Sequence, residues 1–118
     1  MTHNAQLGRH GEELAVRHLE AAGMQVLARN WRCRLGEIDI VARDGLQTVV
    51  VEVKTRSSDD FGHPFEAITP VKLRRLWRLA LAWCEHADSS PASVRVDAVA
   101  VLAPSGAPAV VERLEGLA

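Results

Sequence analysis

A chain of 118 residues has room for one domain with one hydrophobic core. Its composition, 47% hydrophobic and 25% charged, is that of an ordinary globular protein and excludes the disordered and fibrous classes. The net charge of −1 excludes a uniformly basic nucleic-acid-binding protein, so nucleic acid would have to bind at a local basic face.

The predicted elements follow one another in the order αβββαββ. A helix ends at Gly23, Asp44-Gly45 is a strong hairpin turn signal, and Thr69-Pro70 provides an N-cap followed by a proline at the first helical position. The predicted bounds are a helix at 5–22, strands at 24–30, 36–43 and 47–55, a polar loop at 57–69, a helix at 70–87, and strands at 94–102 and 109–114. This order indicates an α/β or α+β layered domain, in which the last two strands pair across residues 104–108.

Three features of the sequence bear on where the protein works. No stretch approaches the roughly 18–20 apolar residues that span a bilayer, so we expect no membrane association. Residues 1–11 are polar and lack the apolar core of a signal peptide, which indicates a cytoplasmic protein. Cys33 and Cys84 have no C-x-x-C spacing; one disulfide is formally allowed, but two free thiols fit a cytoplasmic chain better.

The first helix carries one carboxylate on its apolar side. At about 100° per residue, Glu12 points with the stripe that includes Val16 and Leu19, whereas its neighbour Glu13 points to solvent. A carboxylate that faces a core is costly unless it is paired, hydrogen-bonded or coordinated to a cation. Glu12 is therefore a candidate site residue. The alternative is a boundary glutamate whose carboxylate bends out to solvent or caps a neighbouring amide.

The second and third strands carry the strongest signal for a site. Side chains alternate along a strand, so Glu37 and Asp39 share one face of the second strand. Glu52 and Lys54 likewise share one face of the third strand. A tight turn centred on Asp44-Gly45 places all of these side chains on the same face of the sheet.

The register that this turn predicts pairs Asp39 with Val50 and Glu37 with Glu52. Asp39 and Glu52 are then diagonal neighbours, roughly 7–8 Å apart at the backbone and within reach of a shared cation. Because like charges directly opposite each other destabilise a sheet, Glu37 facing Glu52 requires positive charge between them.

A hard divalent cation held by carboxylate oxygens would supply that charge, and Mg²⁺ needs only one or two protein carboxylates beside water and a phosphate. Lys54, two residues after Glu52, would lie beside the ion and orient an attacking water or stabilise charge on a phosphate. The spacing alone leaves an alternative open, in which these residues form the solvent-facing polar side of an ordinary hairpin.

The segment GEIDIVARDGLQTVVVEVKTR has the form D-x12-E-x-K, with Asp39, Glu52 and Lys54 in the fixed positions. It resembles the signature of the PD-(D/E)xK restriction-endonuclease-like nucleases, although Ile38 stands where the motif's name has proline. Five blocks resemble, in the same order, those of the YraN family of small bacterial proteins: GRHGEELAVRHLEAAG, VLARNWRCRLGEIDIVA, VVVEVKTR, HPFEAITPVKLRRL and VRVDAVAV. The resemblance covers about residues 8–101, and the family is similar in sequence to archaeal Holliday-junction resolvases.

The resemblance implies the restriction-endonuclease-like fold: an αβββαβ core in which helices flank a mixed central sheet, as one domain over residues 1–118. Matching the resolvase pattern position by position implies catalytic roles for Glu12, Asp39, Glu52 and Lys54. Of these, the three carboxylates would bind Mg²⁺ or Mn²⁺, and Glu37 would be an auxiliary ligand.

The function that this implies is metal-dependent endonucleolytic hydrolysis of phosphodiester bonds in nucleic acid, with branched DNA as one substrate. The alternative is a non-catalytic nucleic-acid-binding or protein-interaction domain that keeps the nuclease fold. Small size and neutral net charge favour that alternative, or an enzyme that holds DNA as a homodimer or with a partner.

The candidate nucleic-acid-binding residues are basic side chains that would neutralise phosphates around the acidic site: Arg32, Arg34, Arg56, Lys72 and Arg75. An ordinary solvated face is the alternative for those on the second long helix. Trp31, which we expect in a loop, is a candidate for stacking on a base. Asp97 shares a strand face with Arg95, and we interpret it as a partner in an ion pair or in a hydrogen bond to the sheet rather than as a catalytic group.

Overall fold

The structure is a computed structural model that describes residues 3–58, 60, 62–90 and 93–118. Within these residues it contains, in chain order, α1 (His3–Ala21), β1 (Gln25–Cys33), β2 (Gly36–Asp44), β3 (Gln47–Arg56), a short 3-10 helix (Pro64–Ala67), α2 (Pro70–Ala87), β4 (Val94–Leu102) and β5 (Val110–Leu114). The predicted order of elements is confirmed, with the 3-10 helix added inside the predicted polar loop.

The five strands form one mixed sheet in the order β1-β2-β3-β4-β5. Neighbouring strands are antiparallel except β3 and β4, which are parallel. Parallel neighbours need a crossover, because the chain must return to the end of the sheet from which it started. The crossover here runs through α2, and the predicted fold class, an αβββαβ core with helices around a mixed sheet, is confirmed.

Each face of the sheet is covered by one of the two long helices. In the α1 layer, Ala15, Val16 and Leu19 pack with Met24 and with sheet residues Ile40, Ala42, Val49, Val51, Val99 and Val101. In the α2 layer, Leu76, Leu79, Ala80, Trp83 and Cys84 pack on Ile38, Val41, Val50 and Val96. β3 and β4 are buried on both faces, which is why they read as nearly continuous valine-rich runs.

Local sequence signals fix the beginning of α2 and the end of α1. The Thr69 hydroxyl accepts a hydrogen bond from the Lys72 amide at 3.3 Å, and Pro70 is the first helical residue, as predicted. α1 ends at Ala21, two residues before Gly23 with its φ of 91°. Gly11 lets α1 approach β3 closely, because a Cβ at this position would overlap the Thr55 side chain.

The predicted end of β1 is wrong. The strand continues to Cys33, so Trp31 and Arg32 lie in it rather than in a connection. Trp31 pairs with Ile38 of β2, and its ring packs edge-to-face on Trp83 with the ring centroids 5.4 Å apart. The antiparallel partner and the aromatic contact hold this polar stretch in extended form despite its weak strand pattern.

The predicted register of the β2–β3 hairpin is also wrong. Asp44 pairs with Gln47, so the two-residue loop is Gly45-Leu46 rather than Asp44-Gly45. Gly45 has a φ of 63°, and the first central position is where a type II′ turn requires glycine. The pairing differs from the prediction by two residues, which changes the partners along the hairpin. An even shift keeps each side chain on its predicted face where alternation is regular, as it is from Ile40 to Ala42.

Asp97, the fourth residue of β4, is fully buried. Its carboxylate accepts hydrogen bonds from Arg95 Nε at 2.9 Å, from Arg113 Nη1 at 3.3 Å and from the Gly116 amide at 2.9 Å. The interpretation of Asp97 as a structural ion pair is confirmed. These bonds attach the C-terminal segment to the sheet.

Two further expectations concern membrane-spanning segments and the two cysteines. No helix in the described residues is long and apolar enough to span a membrane. Cys33 and Cys84 are both free thiols, as expected.

Candidate metal centre

β2 and β3 separate at Asp39. Their antiparallel pairing ends with Ile40 opposite Val51, and Asp39 Oδ2 instead accepts a hydrogen bond from the Val53 amide at 2.8 Å. Side-chain alternation also breaks here, since Ile38 packs in the α2 layer and Ile40 in the α1 layer. β2 is therefore kinked at this residue, and the Asp39 carboxyl lies where a regular ladder would continue.

The Asp39 carboxyl is paired with that of Glu52. Burial, a hydrogen bond with Glu52 and the charge of Glu52, in that order of size, together raise the pKa of Asp39 from 3.8 to about 8. The hydrogen bond from the Val53 amide and the charge of the Lys54 ammonium lower the pKa of Asp39, but by less than burial and Glu52 raise it. The pair therefore holds a proton at neutral pH, which is the behaviour of two carboxylates that share a site without a cation.

Lys54 lies beside this pair, between two cavities. The first, which we call the α1 cavity, has a volume of about 620 Å³, and its charged lining residues are Arg9, Glu12, Asp39, Lys54 and Arg56. The second, the α2 cavity, has a volume of about 260 Å³, and its charged lining residues are Glu37, Asp39, Glu52, Lys54, Lys72 and Arg75. Asp39 and Lys54 line both cavities, whereas Glu52 lines only the α2 cavity, so Asp39 alone of the carboxyl pair is open to ligands from both layers.

Glu12 lies on the α1 side of this site. Its side chain is 15% exposed, and its Oε1 accepts a hydrogen bond from Asn30 Nδ2 at 2.9 Å and lies 3.6 Å from Arg29 Nε. Burial raises the pKa of Glu12 above 4.5 and the charge of Asp39 adds to this, whereas Asn30 and Arg29 lower it. Glu12 is thus electrostatically coupled to Asp39, although it comes from a different layer.

The donor set suits a hard divalent cation. Asp39 and Glu52 offer carboxylate oxygens, and Mg²⁺ uses one or two protein carboxylates while water and substrate phosphate complete its shell. A cation between the two carboxyls would take the place of the shared proton. In the described part of the chain, no three or more His, Cys, Asp or Glu residues are grouped closely enough to hold a metal. Glu12 as a third ligand therefore stays a prediction.

The sequence model of one protein family, described as Uncharacterised protein family UPF0102, matches residues 11–101. The chain belongs to this family. It is the YraN family that the sequence resembles, and the predicted membership is confirmed. The matched residues include Glu12, Asp39, Glu52 and Lys54.

Curated members of UPF0102 align over nearly the whole chain. A UPF0102 protein of Pseudarthrobacter chlorophenolicus is 55% identical over 112 residues, covering 95% of this chain and 85% of the relative. One of Streptomyces griseus is 52% identical over 118 residues and covers 99% of both chains. A third, from Beutenbergia cavernae, is 54% identical over 94% of both chains. Similarity at this level extends to the whole domain rather than to the motif alone.

The structure brings some of the predicted nucleic-acid-binding residues to this UPF0102 site and leaves others apart. Arg56 lines the α1 cavity, and Lys72 and Arg75 line the α2 cavity. Arg32 lies outside both cavities but lines a third, of about 570 Å³, together with Arg9, Glu12 and Asn30, and its Nε lies 3.4 Å from Glu37 Oε2. Arg34 is exposed between β1 and β2 and also lies outside both cavities.

Two residues of the site were not predicted. Arg9 precedes Glu12 by one helical turn, so the i, i+3 spacing was available as a signal. Asn30 carried no comparable signal in the sequence. Its contact with Glu12 joins β1 to α1 and depends on how the two elements pack.

Proposed function

We propose that this UPF0102 protein is a metal-dependent endonuclease that hydrolyses phosphodiester bonds in nucleic acid, with DNA as its substrate. The observation that carries the proposal is the carboxyl pair of Asp39 and Glu52 beside Lys54. A pair that keeps a proton at neutral pH costs stability unless a ligand uses it. Perturbed carboxyls in a cavity are typical of functional sites.

In this proposal Asp39 and Glu52 bind Mg²⁺, and Glu12 contributes from the α1 side. The bound ion would supply positive charge that polarises the phosphodiester toward attack by water. Lys54 donates a hydrogen bond to the phosphoryl oxygen on which negative charge develops. Hydrolysis adds water across one P–O bond and leaves a phosphate monoester and a hydroxyl group.

The basic side chains of the two cavities bind the phosphates on either side of the scissile bond. Arg9 and Arg56 act from the α1 cavity, and Lys72 and Arg75 from the α2 cavity. Cations on both sides of the carboxyl pair favour a polynucleotide that crosses the site, and hence internal rather than terminal cleavage. A homodimer acting on DNA in the cytoplasm would present two such sites and double the number of phosphate contacts, although each chain has a net charge of −1.

The test is cleavage of a panel of branched and linear DNA and RNA substrates in Mg²⁺ or Mn²⁺. We expect wild-type protein to cleave at least one DNA substrate, and Lys54→Met to lose about 100-fold or more in rate, in the range found when one group that stabilises developing charge is removed. Arg78→Met is the matched control, because Arg78 is an exposed cation of α2 outside both cavities.

Two outcomes would contradict the proposal. One is cleavage that Lys54→Met leaves unchanged, which would identify a contaminating nuclease. The other is metal-independent binding of nucleic acid without cleavage of any substrate, which would support the non-catalytic domain instead.

A further inference from the structure

The three cavities around the carboxyl pair are connected in series. Asp39 and Lys54 line both the α2 cavity and the α1 cavity. The cavity of about 570 Å³ that Arg32 lines, which we call the β1 cavity, shares Arg9 and Glu12 with the α1 cavity. One groove therefore runs from α2, past the carboxyl pair, to the edge strand β1.

Basic side chains outnumber carboxylates in the part of this groove that lies in the α1 layer. The α1 cavity is lined by Arg9, Lys54 and Arg56, and the β1 cavity by Arg9, Arg29 and Arg32, in each case beside two carboxylates. The chain as a whole has a net charge of −1, so this positive charge is a local feature. A positively charged groove is typical of proteins that follow a polynucleotide backbone.

Two of these cations are available to phosphate. Within the described residues, Arg9 is exposed and forms no ion pair. Arg32 is 78% exposed, and its Nε lies 3.4 Å from Glu37 Oε2. Because an exposed ion pair of this kind contributes little to stability, the Arg32 guanidinium can exchange the carboxylate for a phosphate.

The groove passes from one face of the sheet to the other. The α2 cavity is lined by Leu76 and Leu79 of the α2 layer, whereas residues of α1 line the other two cavities. The passage lies where β2 and β3 separate at Asp39. Duplex DNA is stiff over about 150 base pairs, so it does not follow such a turn within a domain whose longest extent is 44 Å. A single strand is flexible enough to do so.

We propose that the substrate is bound as single-stranded DNA that follows the whole groove, from the α2 cavity past Asp39 and Lys54 to the β1 cavity, where Arg9 and Arg32 contact its phosphates. This inference rests on the proposed function and restricts its substrate, because a linear or branched DNA is then cleaved where it is unpaired. Since the contacts are with phosphates, the base sequence has little effect on affinity.

The test is binding of fluorescently labelled DNA to the full chain, measured by anisotropy without divalent cations so that no strand is cleaved. The probes are a single strand of about 20 nucleotides, longer than the roughly 4–16 that one single-strand-binding module covers, and the blunt duplex of the same sequence. We expect the single strand to bind about 10-fold more tightly or better, because the duplex would have to bend to reach both faces. Equal affinity for the two probes, or tighter binding of the duplex, would overturn the inference.

Arg32→Gln and Lys72→Gln test whether one strand reaches both ends of the groove. Each should weaken single-strand binding about 5-fold, the upper end for an exposed ion pair, and lower the slope of log affinity against log salt by about 0.7–1. Arg43→Gln is the matched control for Arg32, because Arg43 is an exposed arginine of β2 outside all three cavities, and it should change neither quantity. Weaker binding in only one of the two groove variants would contradict the continuous path.

Glu37→Gln distinguishes a phosphate contact of Arg32 from a structural role of its ion pair. This variant breaks the same ion pair as Arg32→Gln, but it keeps the cation and removes a negative charge. It should therefore tighten single-strand binding, whereas Arg32→Gln weakens it. If both variants weaken binding to the same extent, the ion pair is structural and the inference fails.

Failure of this inference and failure of the proposed function give different results. A duplex that binds as well as the single strand, and that is cleaved in Mg²⁺ by wild type but not by Lys54→Met, would refute the single-strand groove and leave the nuclease standing. Single-strand binding with the expected preference, but without cleavage of any substrate, would support the groove and refute the nuclease. A protein that binds neither probe, with or without Mg²⁺, would refute both.

Discussion

Replacing Asp39 by asparagine should change how the stability of the protein depends on pH. Burial and the neighbouring Glu52 raise the pKa of Asp39 from 3.8 to about 8 in the folded protein, and unfolding returns it to its ordinary value. Between about pH 4 and pH 8 the folded state therefore binds more protons than the unfolded state. The free energy of unfolding of the wild type consequently falls as the pH rises through this range.

The size of this change in the free energy of unfolding follows from the pKa shift of Asp39. Each pKa unit corresponds to about 1.4 kcal/mol, so a change from 3.8 to about 8 sets an upper bound of about 5–6 kcal/mol. Asp39 is only partly buried, and Glu52 and Lys54 respond to its ionisation, so we expect about half of this, ~2–3 kcal/mol.

Asp39→Asn removes the ionisation and keeps an oxygen to accept the hydrogen bond of the Val53 amide. Near pH 4 the variant should be about as stable as wild type, because much of Asp39 is then protonated in the unfolded state as well as in the folded state. Near pH 9 it should be more stable by ~2–3 kcal/mol, which for a domain of this size is a difference in Tm on the order of 10 °C.

The assay is urea unfolding followed by circular dichroism at pH 4, 7 and 9, with Asp88→Asn as the control. Asp88 is exposed at the C-cap of α2, and asparagine tolerates its left-handed backbone, so this variant should follow the wild-type pH profile. Millimolar Mg²⁺ at pH 8 should raise the wild-type Tm by binding the folded state, and raise that of Asp39→Asn far less.

Parallel pH profiles for wild type and Asp39→Asn would refute the reasoning, because they would mean that Asp39 ionises as it does in the unfolded chain. A variant that is less stable than wild type at pH 9, in a protein that does not respond to Mg²⁺, would identify the hairpin as purely structural. The proposed metal centre would then be unsupported, whereas the fold and the family membership would still stand.

Two further predictions concern the buried ion pair and the α2 cavity. Asp97→Ala should lower the free energy of unfolding by about 3–5 kcal/mol, since it leaves Arg95 without its buried partner; urea unfolding measures this, and a loss below 1 kcal/mol would contradict the structural role. Lys72→Gln should weaken DNA binding by a similar factor for all sequences and lower the slope of log affinity against log salt by about 1, while Arg78→Gln changes neither. Fluorescence anisotropy across a salt series checks this, and sequence-dependent loss would indicate base contacts instead.

Much of the fold follows from local patterns. The N-cap at Thr69, the proline at 70 and the glycine at 23 set helix ends without reference to the rest of the chain. Alternation places Glu52 and Lys54 away from the valines of the α1 layer, and this holds in the structure. Where prediction failed, at the end of β1 and in the hairpin register, the outcome depended on a partner strand or on the position of glycine within the turn.

The candidate site likewise depends partly on local sequence and partly on tertiary structure. The sequence by itself determined which carboxylates and which lysine are candidates, because residue type, helical periodicity and the D-x12-E-x-K spacing are local properties. Only the tertiary structure decided that Asp39 leaves the ladder to accept the Val53 amide, and that its carboxyl pairs with Glu52. The physical reason is that desolvation and strand divergence arise from long-range packing of two helical layers on one sheet, which no short stretch of sequence encodes.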